Sequence, residues 1–185
     1  TLLASAFLSL KETASFGLSM QGGFFLSQIS GVWVLVKMPW FNQLRQRGDV
    51  RGIQETFFSR VWLFLLIYVS GSLTLCFLGD WLLSNVLHAR TELLPVPQLA
   101  LLLLVVGLET HHSLYRELVL TANVNPFVSP MLMTAGASLT LVCLLAPSLG
   151  AWGLLLAPGL AQLLFNNWWI VLIGIRSLGL TVPDY

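Results

Sequence analysis

The run "LALLLLVVGL", Leu99 to Leu108, leaves a chain few choices. A strand of a membrane barrel alternates apolar and polar residues over about ten positions, and this run does not alternate. It reads as helix. Comparable runs recur between short polar breaks, and a hydrocarbon core about 30 Å thick needs roughly 20 apolar helical residues to cross it. The whole chain agrees, because 56% of its residues are hydrophobic and only 9% are charged, outside the range of soluble globular domains. The expected fold class is an all-α integral membrane protein with about five transmembrane helices.

The spans are predicted at about 14–36, 61–86, 97–123, 127–146 and 151–175, forming a single membrane domain over 1–185. Breaks fall at "KMPWFNQLRQRGDVRG", "HARTELLPVP", "NVNP" and "APSLG", each carrying Pro, Gly or Asn where a helix stops. Lys37, Arg45, Arg47, Arg51 and Arg60 gather in and beside the first break, so the positive-inside rule makes that loop cytoplasmic. Alternation then leaves Lys11 and Arg90 alone of the basic residues outside, and places Thr1 outside too. No cleavable signal peptide precedes the first span to carry Thr1 there, so the chain is expected to be the back part of a longer one. Cys76 and Cys143 lie within spans and have no metal or redox spacing.

The third span contains the sharpest feature. From Pro97 to Leu108 is a dozen residues, about 18 Å of helix, too short to cross. The helix is therefore predicted to continue through "ETHHSLYRE", with Glu109 near mid-depth. Glu109, His112 and Arg116 stand at i, i+3 and i+7 and share one face, while His111 points to its side. Ionisable groups at that depth are expensive against lipid, so the face should meet protein or water. Two readings stay open here: the lining of a translocation cavity, with Arg116 available to an anion and Glu109 with His112 to a proton or cation, or an internal polar network joining helices. Adjacent histidines diverge on a helix, so a metal site is not expected.

Weaker polar signals complete the set. Gln21 and Gln28 lie seven apart in the first span, near Gly22, Gly23, Ser27 and Gly31, where small residues allow close approach. Gln162 and Asn166 share a face of the fifth, just after a kink expected at Pro158 and Gly159. For these amides, interhelical hydrogen bonding and substrate contact both remain open. Asp80, beside Trp81, reads as an interface anchor. No catalytic motif stands in the chain, there being no GxSxG, no HExxH and no glycine-rich phosphate loop, and the breaks are too short for a soluble catalytic domain. A membrane-embedded transferase using Glu109 and His112 is the one enzymatic reading left, and it is not the expected one.

Three stretches carry a family resemblance. "FGLSMQGGFFLSQISGVWVLVKMPWFNQLRQRGDVRGIQETFFSRV", "HHSLYRELVLTANVNPFVSPMLMTAGASL" and "LGAWGLLLAPGLAQLLFNNWW" resemble polysaccharide exporters of the O-antigen flippase type, in the superfamily of multidrug and oligosaccharidyl-lipid exporters. The resemblance implies two six-helix lobes, of which this chain would be part of the second and would lack the first. It implies a multi-pass protein of the bacterial cytoplasmic membrane, whose partners are membrane lipids and an undecaprenyl-pyrophosphate-linked glycan moved by alternating access. It implies no cofactor beyond a coupling ion, H+ or Na+, and no nucleic-acid partner. A cation-coupled exporter of small molecules is the alternative. The cavity-lining residues expected on either reading are Arg116, Glu109, His112, Gln21, Gln28, Gln162 and Asn166.

Overall fold

A computed structural model describes residues 2–86 and 88–180, so Thr1 lies outside the described residues. Helices account for nearly all of what is described, and no strand occurs there. Helix α1 (Leu2–Ser5) is a single turn before α2 (Leu10–Leu35). A capping box starts α2: the Ser9 backbone N–H donates to Glu12 Oε2 at 2.9 Å while the Glu12 N–H donates to Ser9 Oγ at 3.3 Å. The helix therefore begins four residues before the predicted span.

The first break is not a loop. It holds α3 (Met38–Gln46), a short amphipathic helix that starts on Pro39 and buries Phe41 and Leu44. Gly48, at φ +71°, lets the chain leave α3: the Asp49 N–H reaches back to the Leu44 carbonyl at 3.0 Å, and the Gly48 N–H to that of Arg45 at 3.1 Å. Asp49 then caps α4 (Val50–Trp81), its Oδ1 accepting from the Gly52 N–H at 2.9 Å. Helix α4 begins eleven residues before the predicted span (61 − 50) and runs on into a π-helical turn, Leu82–Val86. Its first turns carry Arg51, Gln54 and Glu55, which is why hydropathy alone does not find them.

Helix α5 (Val96–Leu120) runs without a break through Glu109–Glu117. Helix α6 (Val128–Leu149) and α7 (Ala151–Leu164) form a tight antiparallel hairpin closed by Gly150 at φ +53°, and α8 (Asn166–Ser177) follows α7. Four stretches are long and apolar enough to cross a membrane: Leu10–Gln46, Val50–Val86, Val128–Leu149 and Ala151–Ser177. Helix α5, at 25 residues, is longer than Val128–Leu149 but is not among them, because "ETHHSLYRE" dilutes its apolar half. It is nonetheless the helix around which the bundle is built, packing against α2, α4, α7 and α8.

Two apolar clusters meet on α5. Leu99, Leu102, Leu103 and Val106 join one with Phe16, Leu94, Val142 and Leu155. Leu114, Tyr115, Leu118 and Val119 join the other with Phe41, Phe57, Phe64, Phe127 and Ile170. Glu109 and His112 fall in the interval between them, while Arg116 lies within the stretch of the second. Outside, Trp62, Leu66, Phe77, Leu104, Leu132 and Leu144 are exposed, an apolar surface far larger than a water-soluble monomer carries. The chain is an all-α, multi-pass membrane protein.

Its two ends differ in charge. Arg45 on α3 donates to Thr121 Oγ1 at 3.1 Å, and Gln54 on α4 to the Leu178 carbonyl at 2.8 Å, which brings Lys37, Arg47, Arg51 and Arg176 to one end. The other end holds Lys11, 3.7 Å from Glu92, and Asp80, whose Oδ1 accepts from the Leu93 N–H at 2.8 Å. Asp80 is thus an anchor for the chain entering α5.

Candidate functional site

The seam begins with the break between α7 and α8. Helix α7 continues through Pro158 and Gly159, where a kink was expected, and ends at Leu164. The break is at Phe165, with φ −137° and ψ −59°, where the N–H bonds to the Gln162 carbonyl. The Leu163 and Leu164 carbonyls freed by it accept from Trp168 Nε1, each at 3.2 Å. An indole that re-satisfies loose carbonyls lowers the cost of a break at this point.

Each residue of the Glu109, His112, Arg116 face meets a different neighbour. Gln162 Nε2 donates to Glu109 Oε2 at 3.4 Å, across from α7. His112 Nδ1 lies 2.9 Å from Asn167 Oδ1 on α8, so the ring donates through Nδ1. Arg116 is half-buried and pairs with its own neighbour Glu117 at 2.9 Å, while its other Nη points to Met131 Sδ of α6 at 3.8 Å. Glu109 is exposed, whereas His112 is only 4% exposed. One step further, Thr134 Oγ1 of α6 donates to Asn166 Oδ1 at 3.2 Å. The three residues of α5 therefore face α6, α7 and α8 in a ladder of polar contacts, and Gln162 and Asn166 belong to it. Gln21 and Gln28 do not: both lie on the exposed side of α2, which turns Gly23, Ser27, Ser30 and Gly31 inward instead.

Two buried atoms of the ladder lack a partner: the Gln162 carbonyl oxygen and the Asn167 amide nitrogen. One accepts and the other donates. Their partnered ends rest on Glu109 and His112, about one turn or roughly 5 Å apart along α5. Asn167 and Thr134 were not anticipated from the sequence. The adjacent amides of "FNNWW" were the available signal for Asn167, but which of the two faces α5 depends on the helical phase, and Phe165 resets that phase.

Beside the ladder, His111 turns away and stacks near Tyr115, with ring centroids 5.1 Å apart. It closes one end of an apolar groove of about 490 Å³ between α4 and α5, lined among others by Phe64, Tyr68, Leu73, Cys76 and Leu104. The Tyr68 hydroxyl donates to the Leu103 carbonyl at 2.7 Å across it. Among the described residues no three of His, Cys, Asp and Glu come together as metal ligands would. Comparison with known protein families, with curated proteins and with solved structures finds no match to this chain.

Proposed function

We propose that this chain takes part in moving lipid-linked oligosaccharide units, carried on undecaprenyl pyrophosphate, across the bacterial cytoplasmic membrane by alternating access. The observation that carries the reading is the pair of unpartnered groups at the break between α7 and α8. A buried acceptor on Gln162 and a buried donor on Asn167, whose partnered ends rest on neighbouring turns of α5, suit a group that both gives and takes a hydrogen bond, and a sugar hydroxyl does both. Arg116 stands on the same face of α5, with part of its guanidinium turned to a thioether rather than an oxygen. Such a group can receive a phosphate oxygen, for which arginine's planar fork is suited. In this reading a second lobe of like architecture forms the opposite wall, and the exposed Glu109 looks toward it.

Glu109 also favours a second reading, a cation-coupled exporter of small molecules. It is an exposed carboxylate in the middle of the bundle's central helix, held by one long hydrogen bond of 3.4 Å. A proton or Na+ would neutralise it.

The test is surface polysaccharide made in a bacterial strain deprived of its own flippase and supplied with the complete transporter, scored beside the amount of folded protein in the membrane. Arg116→Ala should abolish export at normal abundance, and Arg116→Lys should recover part of it. Glu109→Gln should change the pH or sodium dependence of transport if the second reading holds. Unimpaired export by Arg116→Ala and by Gln162→Leu at normal abundance would end the glycan reading.

A further inference from the structure

The basic end carries a second polar hollow, unrelated to the ladder. Helix α3 folds back beneath the end of α5, and between them lies a pocket of about 390 Å³ lined by Asn42, Arg45 and Gln46 from α3 and by Thr121, Ala122 and Asn123 just past the end of α5. Thr121, Ala122 and Asn123 belong to the turn that follows α5; no lining residue is acidic, while Asn42, Arg45, Gln46 and Asn123 all carry side-chain N–H donors. Arg45 is fixed without being neutralised. Its Nε donates to Thr121 Oγ1 at 3.1 Å and one Nη to the Leu118 carbonyl at 3.5 Å, both uncharged oxygens. One of those contacts engages the Leu118 carbonyl at the electronegative end of α5, and Asn123, at a positive φ of 58°, lines the pocket beside Thr121 and Ala122. Among the described residues, Asp49 caps α4, Glu55 pairs with Arg51 at 2.9 Å, and Glu117 pairs with Arg116 at 2.9 Å.

The depth of the pocket follows from α3. That helix buries Phe41 and Leu44 and leaves Trp40 half-exposed, with the Arg47 guanidinium 6.0 Å from its ring. An amphipathic helix with an exposed tryptophan and flanking Lys37, Arg45 and Arg47 lies in the interfacial layer, at the level of lipid headgroups. We propose that the pocket between α3 and α5 binds the phosphate headgroup of an anionic phospholipid, with Arg45 as its charge partner and Asn42 and Asn123 as the neutral donors around it. The polar pocket gives a specific site, as distinct from the diffuse attraction that any basic loop exerts on an anionic leaflet.

The experiment uses the full chain purified in mild detergent and offered phosphatidylglycerol and phosphatidylcholine in equal amounts, with retained lipid read by native mass spectrometry. Wild type should retain phosphatidylglycerol selectively, and Arg45→Gln should lower that retention about tenfold, as expected when one hydrogen bond to a charged group is lost. Arg45 also holds α3 to α5, so the double variant Asn42→Ala, Asn123→Gly provides a second reading that leaves this contact in place. It should lower retention in the same direction. Arg51→Gln removes a charge at similar depth but outside the pocket and should leave retention unchanged. Equal retention of the two lipids, or equal losses in Arg51→Gln and Arg45→Gln, would overturn the site. Displacement of phosphatidylglycerol by millimolar inorganic phosphate would overturn the lipid assignment and leave a site for the free anion.

Discussion

His112 and Asn167 lock each other in place, and the chemistry of that lock is asymmetric. The imidazole is 4% exposed and its Nδ1 meets Asn167 Oδ1 at 2.9 Å. Replacing His112 alone by Leu leaves both polar atoms of the Asn167 amide unpaired in an apolar interior, which costs about 1–3 kcal/mol. Replacing both by Leu removes the donor and the acceptor together, and the double variant should regain much of that loss. Thermal unfolding in detergent checks this. A double variant no more stable than His112→Leu would show that the two side chains do not depend on each other. The spacing of Glu109, His112 and Arg116 was legible in the sequence because helical periodicity alone puts them on one face. Their partners were not legible, since one sequence carries no information on which residue meets which across helices. Arg116 illustrates the point: its carboxylate is Glu117, the adjacent residue, and not Glu109 one or two turns away.

At the scale of elements, the terminal turns depend on signals that hydropathy does not register. Ser9 and Glu12 form S-x-x-E, and Gly48 with Asp49 forms a stop followed by a start; both are readable in the chain as capping chemistry. The predicted spans began at 14 and 61 because they followed apolar content, whereas hydrogen bonding extends the helices to Leu10 and Val50. Asp49→Ala should therefore destabilise the protein by about 1 kcal/mol, measured as a shift in its unfolding midpoint. The middles of the helices depend instead on close approach. A Cβ added at Gly174 would stand 2.7 Å from Tyr115 Cδ1 and 2.9 Å from Tyr115 Cβ, and the latter cannot move unless α5 moves. Gly174→Ala should cost about 1–3 kcal/mol by forcing α8 off α5. Gly136 on α6 has nothing within 4 Å of the same position. Gly136→Ala should be neutral or stabilising by up to about 1 kcal/mol, because alanine is the better helix former. Equal effects at the two positions would show that α5 and α8 are not packed as described. Neither contact could be read from the sequence, in which both glycines sit in equally apolar surroundings.

The whole molecule is organised by two gradients that cross on α5. Polarity falls from the middle of α5 outward, with Glu109 and His112 between two apolar clusters, Arg116 alongside the second, and exposed apolar residues beyond them. Positive charge increases along the axis, because the contacts of Arg45 with Thr121 and of Gln54 with Leu178 collect the ends of α3, α4, α5 and α8 at one pole. Lys11 and Arg90 alone stand near the other, where Lys11 is partly offset by Glu92 at 3.7 Å. Retaining positive charge on the cytoplasmic side fixes the orientation of short-looped membrane proteins, so the pole bearing α3 should face the cytoplasm. Single cysteines placed at Gln46 and at Glu92, in a background where Cys76 and Cys143 are replaced by Ala, decide this in the full-length protein. Both positions lie in exposed segments at opposite poles. In intact cells a membrane-impermeant thiol reagent should label the cysteine at 92 and spare the one at 46, and permeabilised cells should show both labelled. Labelling at 46 alone in intact cells would invert the protein. It would also put the pocket of Arg45, Asn42 and Asn123 in the outer leaflet, away from the anionic lipid it is proposed to hold.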